Sequence, residues 1–167
     1  LSGIKLYYIN LERSKDRLEW MQQQARDLNI NLNRIEGVDG KKLTDIHTGS
    51  YIFKDGNVLN YNIESKDNET LYEIACTLSH INAIKTAYDN GDQIALILED
   101  DINLYPVALW SETLREIIDY IPENWGIIHI GQMYKNLGKK PYLKKKTWGL
   151  YSYLIKRDLM EILIFIM

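Results

Sequence analysis

Residues 94–98, Ile-Ala-Leu-Ile-Leu, carry no polar side chain, and Glu99-Asp100-Asp101 follows without a spacer. So short an apolar run with no alternation reads as a strand covered on both faces, and such strands belong to parallel sheets flanked by helices. The three carboxylates then sit at the strand's C-terminal edge, where open α/β sheets bind their ligands. Adjacent like charges repel, so a cation at that edge would offset a real cost. In extended backbone Glu99 and Asp101 would point to one side and Asp100 to the other. Hard oxygens of this kind suit Mn²⁺ or Mg²⁺, ions that complete their shells with water and phosphate oxygens, which makes a nucleoside diphosphate the natural third party. An acidic loop that caps the next helix or faces water is the competing account.

The rest of the chain supplies the frame. Residues 4–9 are apolar and aromatic apart from Lys5, a second buried strand. Ser14 is placed to cap a helix from Lys15, with Leu18, Met21, Ala25 and Leu28 as its apolar stripe. Residues 32–36 read as a strand closed by Gly37-Val38-Asp39-Gly40, and 41–68 as a long polar excursion with a hairpin around Asp55-Gly56. Thr70 and Glu73 have capping-box spacing ahead of a helix carrying Ile74, Leu78, Ile81, Ile84 and Tyr88, which Gly91 ends. Pro106 suits the start of a helix whose apolar face is Trp110, Leu114, Ile117, Ile118 and Ile121, and Pro122 stops it. A strand at 127–130, a lysine-rich loop at 135–146, a strand at 148–155 and a helix at 157–167 complete the pattern. Strands alternating with helices predict an α/β fold, a Rossmann-type, mostly parallel sheet with helices on both faces.

With 167 residues the chain reads as one domain spanning 1–167. Its C-terminal run lacks a helix-ending Gly or Asn, so truncation at that end is the expectation. Twenty basic against 23 acidic residues give a net charge of -3, which leaves no global footprint for nucleic acid. The lysine-rich loop, with the single ring of Tyr142 among its lysines, makes no argument for base stacking and reads as solvated, with closure over a diphosphate as the alternative. No stretch is long and apolar enough to span a bilayer. The single cysteine, Cys76, excludes an internal disulfide, favours a reducing compartment and reads as a small core residue. His129, inside a strand, reads as structural.

Four segments in order carry a resemblance. Tyr8 to Arg17 (Tyr-Ile-Asn-Leu-Glu-Arg-Ser-Lys-Asp-Arg), Gly37-Val38-Asp39-Gly40, Glu73-Ile74-Ala75-Cys76-Thr77-Leu78-Ser79-His80 and Ala95-Leu96-Ile97-Leu98-Glu99-Asp100-Asp101 resemble the motifs of glycosyltransferase family 25, the lipopolysaccharide and collagen sugar transferases. Ala75 stands where that family usually has Gly. The resemblance implies a GT-A-like fold, a UDP-sugar donor, Mn²⁺ or Mg²⁺ at the acidic motif and transfer of a hexose, with galactose the first candidate, with inversion at the anomeric carbon. Acceptors of that family type are a saccharide, a lipid-linked saccharide or a hydroxylated protein. It also implies a cytoplasmic or membrane-peripheral location, or the lumen of the endoplasmic reticulum for a collagen-modifying enzyme.

On that resemblance Asn10, Leu11, Arg13, Arg17, Asp39, Gly40, Ser79, His80 and Asp100 are the donor-binding candidates, and Glu99 and Asp101 the metal ligands. Arg17 has two readings, a phosphate ligand or the partner of an acid such as Glu36. Asp39 has two as well, since an Asp-Gly turn needs no ligand to explain it. His80, alone in a mostly apolar helix, rises above a buried core histidine only through the resemblance. No residue is assigned as general base. A non-catalytic nucleotide-sugar or saccharide-binding module is the alternative function, and a metal-dependent phosphoesterase ranks third for want of further His and Asp ligands.

Overall fold

A computed structural model of the chain describes residues 3–43, 48–52, 58–62, 68–130 and 151–165. In chain order the elements are β1 (Lys5–Asn10), α1 (Lys15–Asp27), β2 (Leu32–Glu36), β3 (Thr48–Ile52), β4 (Val58–Asn62), α2 (Asn68–Asp89), β5 (Ile94–Glu99), α3 (Leu114–Asp119), β6 (Ile127–His129), β7 (Ser152–Lys156) and α4 (Arg157–Phe165). Short 3₁₀ segments lie at Gly40–Lys42 and Tyr105–Leu109. Five strands form one sheet in the order β2-β1-β5-β7-β6, and β3 and β4 form a separate antiparallel pair.

β1 pairs in parallel with β2 on one side and β5 on the other. Its register sets Asn10 opposite Glu36 and Ile9 opposite Glu99, so three strands end level with one another. That shared C-terminal edge is the foundation of the site. β7 runs antiparallel to both β5 and β6, the one reversed strand of an otherwise parallel sheet.

The period of two along each strand divides the core between two faces. Leu6, Tyr8, Leu96, Leu98 and Leu154 pack with Met21 of α1, with Leu104, and with Leu114 and Ile118 of α3. Tyr7, Ala95, Ile97, Tyr153 and Ile155 pack with Ala83, Ile84 and Ala87 of α2 and Met160 of α4. Burying each Leu or Ile in this way contributes about 1.5–3 kcal/mol relative to exposure, which favours the three-layer arrangement over any that leaves one face of the sheet open. Helices on both faces are therefore as the sequence predicts. Among the described residues no helix is long and apolar enough to cross a membrane.

The departures are local. The predicted helix after Pro106 is broken into the 3₁₀ turn Tyr105–Leu109 and the short α3, because Thr113 starts a new helix with a full capping box to Glu116. Trp110 lies between the two pieces and is exposed rather than part of a continuous apolar face. Thr70 falls inside α2, which begins at Asn68. Ser14 occupies the cap position of α1 but makes no side-chain capping bond; its carbonyl accepts instead from the Leu18 N–H and the Asn10 side-chain amide. The predicted hairpin is present as β3 and β4, while Asp55-Gly56 and the lysine-rich loop lie outside the described residues. The strand predicted at 148–155 is described as Ser152–Lys156.

Gln24 breaks the apolar stripe of α1 and is nonetheless fully buried. Its amide nitrogen donates to the Ile102 carbonyl at 3.1 Å and its oxygen accepts from the Leu104 N–H at 2.6 Å. One side chain thus ties down the loop that leaves the acidic motif, satisfying two backbone groups that burial would otherwise orphan.

Candidate functional site

β5 ends at Glu99, and Asp100-Asp101 form a turn rather than continuing as extended chain. The period of two still holds up to that point. Glu99 falls on the α2 face, whereas Asp100 falls on the α1 face and is buried. The three acids consequently have three separate environments, and the alternation expected from extended backbone does not extend to Asp101.

Asp100 is held from β1 and α1. One carboxylate oxygen accepts from the Asn10 amide at 2.7 Å, the other from Arg17 Nη1 at 2.8 Å. Arg17 also lies 3.6 Å from Asp101, so one guanidinium bridges both aspartates, and the bond to Asp100 raises its pKa above the ordinary arginine value. Of the two readings of Arg17 the structure shows the ion pair, but with these aspartates and not with Glu36. The first turn of α1 lies over the face on which Asp100 sits, while Glu36 is exposed at the end of β2. Asn10 is itself 1% exposed; its side-chain oxygen accepts from Arg34 Nε at 3.0 Å and its carbonyl from the Gly37 N–H. Its side chain is therefore engaged within the protein, a hub joining β1, β2, α1 and β5.

The turn after β2 shapes the neighbouring cleft. Arg13 Nε donates to Asp39 at 2.8 Å, and the other Asp39 oxygen caps the 3₁₀ turn by accepting from the Lys41 N–H at 3.0 Å. The Lys41 N–H, assisted by Arg13, holds the Asp39 carboxyl below the usual carboxylate range. Gly40 is buried against α2, where a Cβ would meet the Tyr72 ring at 2.7 Å and the Leu71 carbonyl at 3.2 Å, so any side chain here would force its neighbours to shift. From the α2 side, Ser79 Oγ accepts from the Val38 N–H at 2.8 Å and donates to the Ala75 carbonyl at 2.6 Å. Ala75 is buried at this point, and its carbonyl holds the Ser79 hydroxyl with the methyl side chain in place.

Around these residues opens a cleft of about 540 Å³, lined from β1's exit by Glu12, Arg13 and Lys15, from β2's exit by Glu36, Gly37, Val38 and Asp39, and further by Lys42, Leu43 and Asn82. Arg13 and Asp39 of the predicted residues line it, whereas Asn10, Gly40 and Ser79 are buried. Leu11 is half-buried and touches the Gly37 position. The sequence reading missed Lys15, Lys42 and Asn82. Asn82 follows Ser79 by three positions, which places both on one flank of α2 and is the signal that could have found it.

His80 lies on the opposite side of the strand end. It is buried, with Nδ1 3.1 Å from the Tyr153 hydroxyl and Nε2 3.5 Å from Glu99 Oε1. Burial opposes charge on the ring, but hydrogen bonding and charge from Cys76 and Glu99 outweigh it and raise the His80 pKa to about 9. Cys76, one helical turn earlier, is exposed and not the core residue the sequence suggested. Among the described residues, one group of three side chains of metal-binding type converges: Cys76, His80 and Glu99, with ligand atoms within 4.8 Å of one another. The acids of the 99–101 run do not converge in that way.

A mostly parallel sheet with one reversed strand, helices on both faces, a charged cleft at the C-terminal edge and an acidic turn beside it define a GT-A-like α/β domain. The chain belongs to glycosyltransferase family 25 (LPS biosynthesis protein), whose profile matches residues 4–167. It is 29% identical over 138 residues to procollagen galactosyltransferase 2 of Mus musculus, covering 77% of this chain and 20% of that protein. The human protein of the same name is 28% identical over 140 residues, with the same coverage. A glycosyltransferase 25 family member of Anopheles gambiae is 33% identical over 108 residues, covering 64% of this chain and 18% of the relative. The chain thus spans about a fifth of the length of these relatives.

Proposed function

We propose that this chain binds the nucleoside diphosphate end of a UDP-sugar in the cleft between the exits of β1 and β2 and serves transfer of a hexose to an acceptor hydroxyl. The observation that carries the reading is the convergence of Arg13, Lys15, Lys42 and Asp39 on one cleft at the C-terminal edge, with Asp100-Asp101 following the adjoining strand. Basic groups there complement a diphosphate, and Asp39 can accept from a ribose hydroxyl or a base N–H. Family membership supports sugar transfer, and the names of the relatives favour galactose. Saccharides, lipid-linked saccharides and hydroxylated proteins are the acceptor classes this reading admits.

Glu99 and Asp101 offer hard oxygens suited to Mn²⁺ or Mg²⁺, and Asp101, half-exposed at the turn, is the more open of the two. A divalent ion at the turn would supply charge neutralisation for the departing diphosphate. The protein's own contribution is positional. Asn10 and Arg17 hold Asp100 against the end of β1, Gln24 fixes the loop beyond, and Arg13 orients Asp39 across the cleft. Attack by the acceptor from the face opposite the leaving group would invert the anomeric carbon. The base that takes the hydroxyl proton is not assigned.

The test is a thermal-shift series with uridine, guanosine and cytidine diphosphate sugars, each with and without Mn²⁺, because ligands that bind only the native state raise its apparent stability. UDP-galactose with Mn²⁺ should give the largest shift, and Asp101→Asn should remove the Mn²⁺-dependent part while leaving the unliganded midpoint unchanged. Absence of a shift with every donor would end the proposal. A second reading, binding without turnover, is suggested by Ala75 in place of the glycine of the resembling motif; donor affinity with neither hydrolysis nor transfer would select it.

A further inference from the structure

We infer that Cys76, His80 and Glu99 form a site for a thiophilic divalent ion of the Zn²⁺ type, distinct in chemistry from the hard-cation role proposed for the acidic turn. Cys76 and His80 are four residues apart on α2 and so project from one flank of the helix. The end of β5 brings Glu99 to the same point, giving sulfur, nitrogen and oxygen donors within 4.8 Å of one another. A thiolate, an imidazole and a carboxylate are the ligands that zinc selects, whereas Mn²⁺ and Mg²⁺ prefer oxygen alone.

Two details of the geometry point to a cation rather than to a simple ion pair. His80 Nε2 and Glu99 Oε1 are 3.5 Å apart, longer than the about 2.7–2.9 Å of a well-formed charge-assisted hydrogen bond. Ligands at about 2.0–2.3 Å from a tetrahedral ion stand roughly 3.3–3.6 Å from one another, which matches that spacing. The second detail is the far side of the ring. Nδ1 meets the hydroxyl of Tyr153 at 3.1 Å, and Tyr153 is 1% exposed and immobilised in the core. Metal-binding histidines characteristically use the second nitrogen for such a contact, which fixes the ring and leaves Nε2 facing the ion. Cys76 is exposed and already interacts with His80 across the site, so a modest adjustment of its side chain would close the remaining distance and leave a solvent-facing fourth position. Three protein ligands with one open position is the arrangement of a reactive or exchangeable zinc site rather than a closed structural one.

This site does not depend on the donor-binding proposal, although Glu99 is common to both. An ion held by Cys76 and His80 would fix Glu99 where it stands, beside His80, and keep it from the acidic turn, so zinc occupancy would weaken the Mn²⁺-dependent binding of a donor.

Titration of the whole chain with Co²⁺ tests the inference, because the only cysteine in the sequence is Cys76 and any thiolate-to-cobalt charge-transfer band reports on it alone. One equivalent of Co²⁺ should give that near-ultraviolet band together with the intense visible bands of a four-coordinate ion, and Zn²⁺ should bleach both. Cys76→Ser, at an exposed position, should abolish the charge-transfer band with an unchanged circular dichroism spectrum. Tyr153→Phe keeps the ring in the core and should weaken Co²⁺ binding about 10–100-fold through loss of the contact to Nδ1. Asp101→Asn should leave the spectrum unaltered, which separates this site from the acidic turn. No thiolate band at stoichiometric Co²⁺, or a near-ultraviolet band that survives Cys76→Ser, overturns the inference.

Discussion

The amide of Asn10 donates to the carboxylate of Asp100 at 2.7 Å, a bond between residues 90 positions apart that joins the ends of two neighbouring parallel strands. It accounts for the burial of one acid of a run that the sequence presents as three equivalent charges. Asp100 is screened by Asn10 and Arg17, Glu99 turns to His80, and Asp101 alone reaches solvent to any large extent.

Asn10→Ala tests the hub. The substitution takes a partner from both Asp100 and Arg34, and an unsatisfied buried polar group costs about 1–3 kcal/mol. Urea denaturation should show a loss of about 2 kcal/mol with an unchanged slope, and the Mn²⁺-dependent thermal shift should shrink as the turn loosens. An unaltered midpoint would remove Asn10 from this role.

Gln24→Leu preserves bulk but leaves the Leu104 N–H and the Ile102 carbonyl without their partner. A cost of about 1–3 kcal/mol is expected. Hydrogen exchange should localise it, with faster exchange at Leu104 than in β1. Uniform acceleration across the sheet would argue against a local anchor.

Gly40→Ala places a methyl group against Tyr72 and the Leu71 carbonyl. The Tyr72 ring is half-exposed and can swing aside, but the backbone oxygen cannot. Overpacking of this kind costs about 1–3 kcal/mol. Tyr72→Ala in the same chain should restore only part of it, and full restoration would assign the clash to the ring alone.

Tyr7→Phe addresses alkaline stability. Burial, reinforced by the hydrogen bond to Asp92, raises the Tyr7 pKa from 10.0 to about 12. Below the unfolded value Tyr7 is protonated in both states, so its contribution is fully present there. Between about 10 and 12 the unfolded chain gives up the proton while the folded one keeps it, and the contribution is lost as pH rises through that window. Denaturation midpoints measured across that window should fall more steeply for the native sequence than for Tyr7→Phe. Parallel curves would show that another group is responsible.

Much of the frame is legible in the sequence because it is a matter of local pattern. The apolar runs ending at Ile9 and Leu98 mark two of the three interior strands, 32–36 is a strand with the boundaries expected, and the helical periods of α1 and α2 identify layers that cover them. The motif around Asp39-Gly40 and the run Glu99-Asp100-Asp101 likewise stand out, since composition and order alone single them out. What local pattern does not carry is partner choice. Whether Arg17 meets Glu36 or Asp100 depends on which face of the sheet α1 covers, and the capping box at Thr113 outweighed the apolar period that ran through it.

The chain's order of apolar and polar residues by itself determined an α/β sheet and put the acids at its rim, because burial acts on each segment's own periodicity. Only the tertiary structure decided that Asp100 is buried beneath Arg17, that Gln24 anchors a loop 80 residues on, and that Cys76 and His80 stand beside Glu99. Those relationships are set by strand register and by which helix packs on which face, and both emerge only when distant segments compete for the same space.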